Sequence, residues 1–265
     1  RVGLGREADD FITYLRYAMP TDSVAGEQWR HQLPLAILRV RPRRSIGKPQ
    51  PFAIPQYDAR TANFDETTLR DDRGALVNAV RARWSQASAP AAPLYSLELY
   101  IDLVGQHCLG YPDPSRGPMN CLADQPDAAL HISSSLHIDD GQVIAVLGTL
   151  ATETGNATYV SVGVNRFPAL VGVANLSDED LDGSAASFAG ALQHDPRLFY
   201  VYYLARDCSG LPACFEISRR LVSTGEAIKL MQRDYVNPGS ARGPDPARVL
   251  PPVTITLDGR RRPMQ

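Results

Sequence analysis

Apolar and polar positions along this chain repeat with two periods, and the change between them marks out its elements. Two stretches follow the helical period. In Glu7–Ala18, residues Phe11, Ile12, Leu15 and Ala18 form one apolar face, and Pro20 ends the helix. In Thr67–Gln86 the same spacing places Leu69, Leu76, Val77, Val80 and Trp84 together. Other stretches follow the strand period. Leu33–Val40 is a short apolar run of this kind. In Leu94–Val104, residues Leu97, Leu99, Ile101 and Leu103 alternate with Ser96, Glu98, Tyr100 and Asp102. Leu130–Ile138 alternates again and places His131, Ser133, Ser135 and His137 on one face, read as wet. Asp139-Asp140-Gly141 is a turn, and Gln142–Leu150 returns as a second strand. A further apolar run begins over Asn156–Gly163, and Val253–Leu257 is the last strand. Leu198–Leu204 is apolar throughout and fits a buried strand or a buried helix.

Arg219–Gln232 is the stretch with a chemical consequence. Ile217, Leu221, Ile228, Met231 and Tyr235 lie close to helical spacing, which predicts a helix with one buried face. Glu226 and Lys229, three apart, then lie side by side. Lining a cleft, they form a carboxylate that stabilises a developing cation and an acid that protonates a leaving group. Alternatively, Ser223-Thr224-Gly225-Glu226 is a capping box, with Glu226 folded back on the Ser223 backbone. The elements mix helix and strand, an α+β pattern, and the length allows one large domain or two small ones.

Composition narrows the picture. The 265 residues carry a net charge of −2 and are 44% hydrophobic, so the chain has enough apolar mass for a sizeable core and no global field toward nucleic acid or membrane. Lys48 and Lys229 are the only lysines, which makes Lys229 conspicuous. Arg39, Arg41, Arg43, Arg44 and Lys48 form a basic knot, read as a solvated face or a phosphate contact. The four cysteines fall into two close pairs. This suggests local disulfides Cys108–Cys121 and Cys208–Cys214 and an oxidising compartment. No Cys-x-x-Cys pair points to zinc. No apolar run reaches membrane-spanning length, and a secretion signal is expected to have been removed before Arg1. His131 and His137 are about 20 Å apart on an extended strand, too far to share a metal. Asp178, Asp180 and Asp182, followed by Gly183, resemble the front half of a calcium loop, but position twelve is Ala189. Ser177 capping an acidic first helical turn accounts for the same residues. No cofactor is implied.

The order of these landmarks resembles the ribosome-inactivating protein A chains, the family of the ricin and Shiga toxin catalytic subunits. Phe11–Arg16 is similar to that family's first helix and Arg30–Leu35 to the segment after it. Leu97–Tyr111 is similar to the strand ending in an active-site tyrosine and a Gly-Tyr pair. Ala157–Gly163 through Leu170 is similar to the second active-site strand and its turn. Glu226-Ala227-Ile228-Lys229 falls where the family carries Glu-Ala-x-Arg on its central helix, and Val253–Asp258 resembles the strand before its active-site tryptophan. Residues 50–93 and 112–155 lie outside the resemblance.

The resemblance implies one α+β domain over residues 1–265, with a mixed, mostly antiparallel sheet in 1–175 and a helical part over 176–265 around the Arg219–Gln232 helix, and a secreted toxin that removes one adenine from the sarcin-ricin loop of large-subunit ribosomal RNA. Ribosomal RNA would be its partner, and a separate subunit would supply cell binding. In this chemistry the base is splayed from its stack and held between rings, and a carboxylate stabilises the oxocarbenium-like ribose. A cation protonates the departing adenine. By resemblance Glu226 is the carboxylate and Lys229 the proton donor. His107, Tyr111 and either Arg166 or Phe167 occupy the base-holding positions. The departures are Lys229 for arginine, His107 for the first tyrosine, Arg166 or Phe167 for the second, and Arg261 near the tryptophan position. Lysine offers a point charge where arginine offers a planar fork. Two other readings fit the same residues. One is a binding module without catalysis; the other is an unrelated secreted α+β protein with a structural calcium site.

Overall fold

In the computed structural model, residues 23–32, 58–86, 89–96, 127–168 and 171–261 are described, with single positions 36, 38 and 43. Contacts divide the chain into two compact units, Arg1–Gln56 with Leu109–Pro112 and Tyr57–Cys108 with Asp113–Gln265. In the first, helix α1 spans Ser23–His31. The expected helix Glu7–Ala18, the strand Leu33–Val40 and most of the strand Leu94–Val104 lie outside the described residues.

In the second unit a 3-10 turn over Glu66–Leu69 leads into helix α2, Arg70–Arg83. Asp65 caps the turn by accepting from the Thr67 N–H at 3.1 Å. Asp71 and Asp72 lie in the first turn of α2 and Arg81 and Arg83 in its last, matching the helix dipole at both ends. Leu69, Leu76, Val80 and Trp84 are fully buried, as the helical period predicts.

Among the described residues eleven strands follow: β1 (Ala91–Pro93), β2 (Tyr95–Ser96), β3 (Ala128–Ile132), β4 (Leu136–His137), β5 (Gln142–Thr149), β6 (Tyr159–Phe167), β7 (Val171–Ser177), β8 (Phe199–Ala205), β9 (Cys214–Glu216), β10 (Ala227–Tyr235) and β11 (Val253–Asp258). One sheet has the order β1-β11-β5-β8-β9, and the other β2-β3-β10-β6-β7, with β4 also paired to β10. The pairings are antiparallel except β8 with β9. The first sheet lies in the middle of three layers. Ile144, Val146, Tyr200, Tyr202 and Leu204 face the other sheet's Val160, Val162, Val164, Ile228 and Leu230. Val143, Ala145, Leu147, Phe199, Val201 and Tyr203 face α2 and a 3-10 turn over Ala186–Ala191. Leu198–Leu204 is therefore mostly strand β8, buried on both faces, which is why its apolar run shows no period.

The predicted helical C-terminal half is not what the structure shows. Beyond α2 the helical elements are short turns, among them α3 over Asp178–Leu181, and residues 227–235 form a strand in the middle of a sheet. Gly225 is the local cause. Its φ of +78° turns the chain after Ser223-Thr224, and a helix cannot run through that point. Beyond it, burial alternates strictly: Ile228, Leu230, Gln232 and Asp234 are buried, and Lys229, Met231, Arg233 and Tyr235 are half-exposed. The helical spacing of Ile217, Leu221 and Ile228 spans two different elements.

Candidate functional site

Four of the residues singled out by sequence meet where β6 ends and β10 begins. The register pairs Phe167 with Ala227, Arg166 with Ile228 and Asn165 with Lys229. Glu226, one residue before β10, takes the Ser223 N–H on Oε2 at 3.0 Å. Its Oε1 lies 3.8 Å from Arg166 Nε, with both side chains part-exposed. The fold-back of Glu226 onto Ser223 is thus present, in a turn and not at a helix start. Lys229 Nζ lies 4.8 Å from the centre of the Phe167 ring, a cation–π contact. The site holds a carboxylate, a guanidinium, an ammonium and an exposed ring within two adjacent strands.

Its internal geometry differs from the expected one. Glu226 and Lys229 are neighbours on a helix, but in extended chain three residues cover about 10 Å and side chains alternate. Each therefore has its own partner: Glu226 has Arg166, and Lys229 has Phe167. His107 and Tyr111 lie outside the described residues, as does the disulfide Cys108–Cys121. Cys208–Cys214 is formed and closes the crossover from β8 to β9.

The same outward face of β10 carries groups that the helical reading hid. Tyr235 pairs with Tyr159 across the strands, and their rings lie 5.8 Å apart. Asn175 on β7 donates to the Tyr159 hydroxyl at 3.3 Å. Between the two ends Arg233 lies over Gly163, where a Cβ would come within 2.9 Å of its Nη1.

The inward face is polar at its centre. Tyr200 donates to Gln232 Oε1 at 2.6 Å, and Gln232 Nε2 donates to Asp234 Oδ1 at 3.0 Å. His131, Gln232 and Asp234 are fully buried, with His131 Nδ1 3.7 Å from Asp234 Oδ2. His131 therefore does not lie on a wet face. Gln232 is its register partner, so both point between the sheets, and neither ring nitrogen has a hydrogen bond among the described residues. Burial lowers its pKa to about 4. Burial, with Glu66 nearby, pushes Asp234 well above the carboxylate range. Glu66 itself is buried but saturated. It accepts from Thr149 and Thr154 Oγ1 at 2.6 Å each, Asn156 Nδ2 at 2.8 Å and the Leu250 N–H at 3.1 Å. Of these positions the sequence singled out only His131, as solvent-facing; Glu66, Tyr200 and Asp234 belong to no motif, and their burial follows from pairing distant in sequence.

The acidic run resolves as a cap. Ser177 precedes α3, and Asp180 Oδ2 accepts from the Ser177 N–H at 2.8 Å and its hydroxyl at 3.0 Å. Asp178, Asp180 and Asp182 form no metal-holding group, and no cluster of three or more such ligands exists among the described residues. No helix among them is long and apolar enough to cross a membrane. Comparison of the chain with protein-family models, curated proteins and solved structures finds no match.

Proposed function

We propose that the chain is a secreted, disulfide-bonded binding module whose β6–β10 end takes an unstacked nucleobase. The observation that carries this is Lys229 poised over the part-exposed Phe167 ring. An exposed ring with an adjacent cation offers a base a stacking partner and offers its phosphate a counter-charge. The Cys208–Cys214 bond supports the oxidising compartment. Glu226 supports binding over catalysis, because Arg166 and the Ser223 N–H already engage its two oxygens.

A second reading keeps the catalytic role. The Glu226–Arg166 and Lys229–Phe167 pairs, close together at one end of the β6–β10 ladder, include the kinds of group an RNA N-glycosylase uses: a carboxylate for the ribose cation, a cation for the departing adenine and a ring for the base. In that reading the substrate is ribosomal RNA and a separate subunit provides cell entry. One experiment separates the two. Adenine release from intact ribosomes is measured for the parent and for Glu226→Gln, alongside binding of a labelled adenine-containing single-stranded RNA. Binding without release, weakened in Lys229→Gln, supports the module. Release that collapses in Glu226→Gln supports the enzyme. Neither binding nor release rejects both.

A further inference from the structure

We infer that β7 is a docking edge for a second copy of this chain: two β7 strands pair antiparallel about a two-fold axis and join their sheets into one. Pairing of this kind is independent of the nucleobase site. A strand at the edge of a sheet presents a row of free N–H and C=O groups, and folded chains blunt such rows with short strands, prolines and charges. The other edges described are blunted in these ways. β1 is three residues long and holds Pro93, which has no N–H to offer. β9 is also three residues long, ends in the exposed Glu216 and is tied by Cys208–Cys214. β2 is two residues long. β7 runs for seven residues, Val-Gly-Val-Ala-Asn-Leu-Ser, without a charge or a proline. Among the described residues only its inner side is paired, with β6. Its one irregularity is a bulge at Val173. The Ser177 N–H turns away to Asp180, so the free row is Val171–Leu176.

The side chains and charges select a second copy as the occupant. Val171 pairs with Arg166, which lies opposite Ile228, so Val171 is on the side that faces the other sheet, yet it is 46% exposed. Val173 and Ala174 pack on the same core and are half-exposed. A partner strand covers this apolar rim. The two ends of β7 carry opposite charge. Arg166 and Lys229 lie at its start, offset by Glu226. Asp178, Glu179, Asp180 and Asp182 follow its end, with Arg233 two strands away. Antiparallel pairing about a two-fold axis sets each acidic end beside the partner's basic end. Centred on Ala174, it places Val171 opposite the partner's Ser177 and Gly172 opposite the partner's Leu176, and buries no charge. Each copy offers one such edge, so association closes at two. Seven residues of strand span about 23 Å, a small contact, so the dimer is weak.

The test is sedimentation velocity of the whole chain from about 1 to 200 µM, with amide hydrogen exchange measured at both extremes. The parent should pass from monomer to dimer over that range, and amides of Val171–Leu176 should exchange more slowly at the higher concentration while those of β1 and β9 do not change. Val171→Lys places an ammonium where the partner strand would bury it and should weaken the dimer about 10-fold or more. Glu179→Lys should weaken it about 2- to 30-fold in 50 mM salt, the range for two lost surface ion pairs, and less in 500 mM salt. Circular dichroism and Tm identify a misfolded variant, and Glu179→Lys, at an exposed position, stands in for a Val171 variant that does not fold. A chain that stays monomeric at 200 µM overturns the dimer. In that case free exchange along β7 leaves the edge to another protein, and protection at every concentration shows it covered by this chain itself. A dimer that leaves β7 exchange unchanged and ignores both variants overturns it as well, as does association that grows past two copies.

Discussion

His131 and Asp234 should cancel each other's effect on stability over a defined pH range, and removing either should expose the other. Both side chains are fully buried, 3.7 Å apart. The His131 pKa falls from 6.5 to about 4 through burial. Between those values the unfolded chain binds a proton that the folded histidine refuses, so this group's contribution falls as pH falls. Asp234 is raised by burial and by Glu66. Above the unfolded carboxylate value the folded side chain keeps a proton that the unfolded one has lost, so its contribution rises as pH falls. Each slope is about 1.4 kcal/mol per pH unit, and they have opposite sign. Where the two ranges overlap, the contributions oppose each other, and the pair changes stability with pH less than either group would alone. Urea unfolding of the parent, His131→Leu and Asp234→Asn at pH 4.5, 5.5 and 6.5 measures this. Relative to the parent, His131→Leu should gain about 3 kcal/mol from pH 6.5 to 4.5, and Asp234→Asn should lose stability over the same range. Two variants that track the parent in parallel across the three pH values would refute the reasoning. The double variant should restore the flat profile.

Three further outcomes follow from contacts described above. Glu66→Ala strands four donors on three segments and should cost about 3–5 kcal/mol in urea unfolding, with Glu66→Gln intermediate. If both variants match the parent, the carboxylate does not hold those segments. Reducing Cys208–Cys214, which are six residues apart, should lower stability by about 2 kcal/mol, and an unchanged Tm under reductant counts against it. Because Asp180 is engaged as a cap, chelator should leave Tm unchanged; a fall of several degrees would restore the calcium reading.

Where one face of an element is buried, its period was readable. Helix α2 falls within three residues of its expected limits at each end and strand β5 within one, because the helical spacing of Leu76, Val77 and Val80 and the apolar run from Val143 to Leu147 are uninterrupted. The acidic cap after Ser177 was readable for the same reason: a capping residue and its acceptor are close in sequence. Strand β10 was not, because its inward positions include Gln232 and Asp234 while Met231 points outward, which inverts the expected pattern at its C-terminal end. His131 misled in the same way. A polar residue at a strand position reads as solvent-facing, and only the register with Gln232 shows that it is interior. The candidate site was half legible. Glu226 pairs with Arg166 and Lys229 with Phe167, in two separate contacts made through strand pairing and not helical adjacency. Arg233, Tyr159 and Tyr235 became visible only once β6 and β10 were aligned.

The burial of Asn156 bears on how this protein must be made. Asn156-Ala157-Thr158 and Asn175-Leu176-Ser177 are both acceptor sequences for N-linked sugar. Asn156 is fully buried and donates to Glu66 and to the Phe64 carbonyl, so a sugar on its amide nitrogen has no place in the folded chain. Asn175 is exposed on β7, and a sugar there leaves the core intact while covering the Tyr159 end of the outer face. In any glycosylating compartment the two sites would therefore part ways: a sugar at Asn156 would be incompatible with the folded chain, and one at Asn175 would leave the fold intact and mask one end of that face.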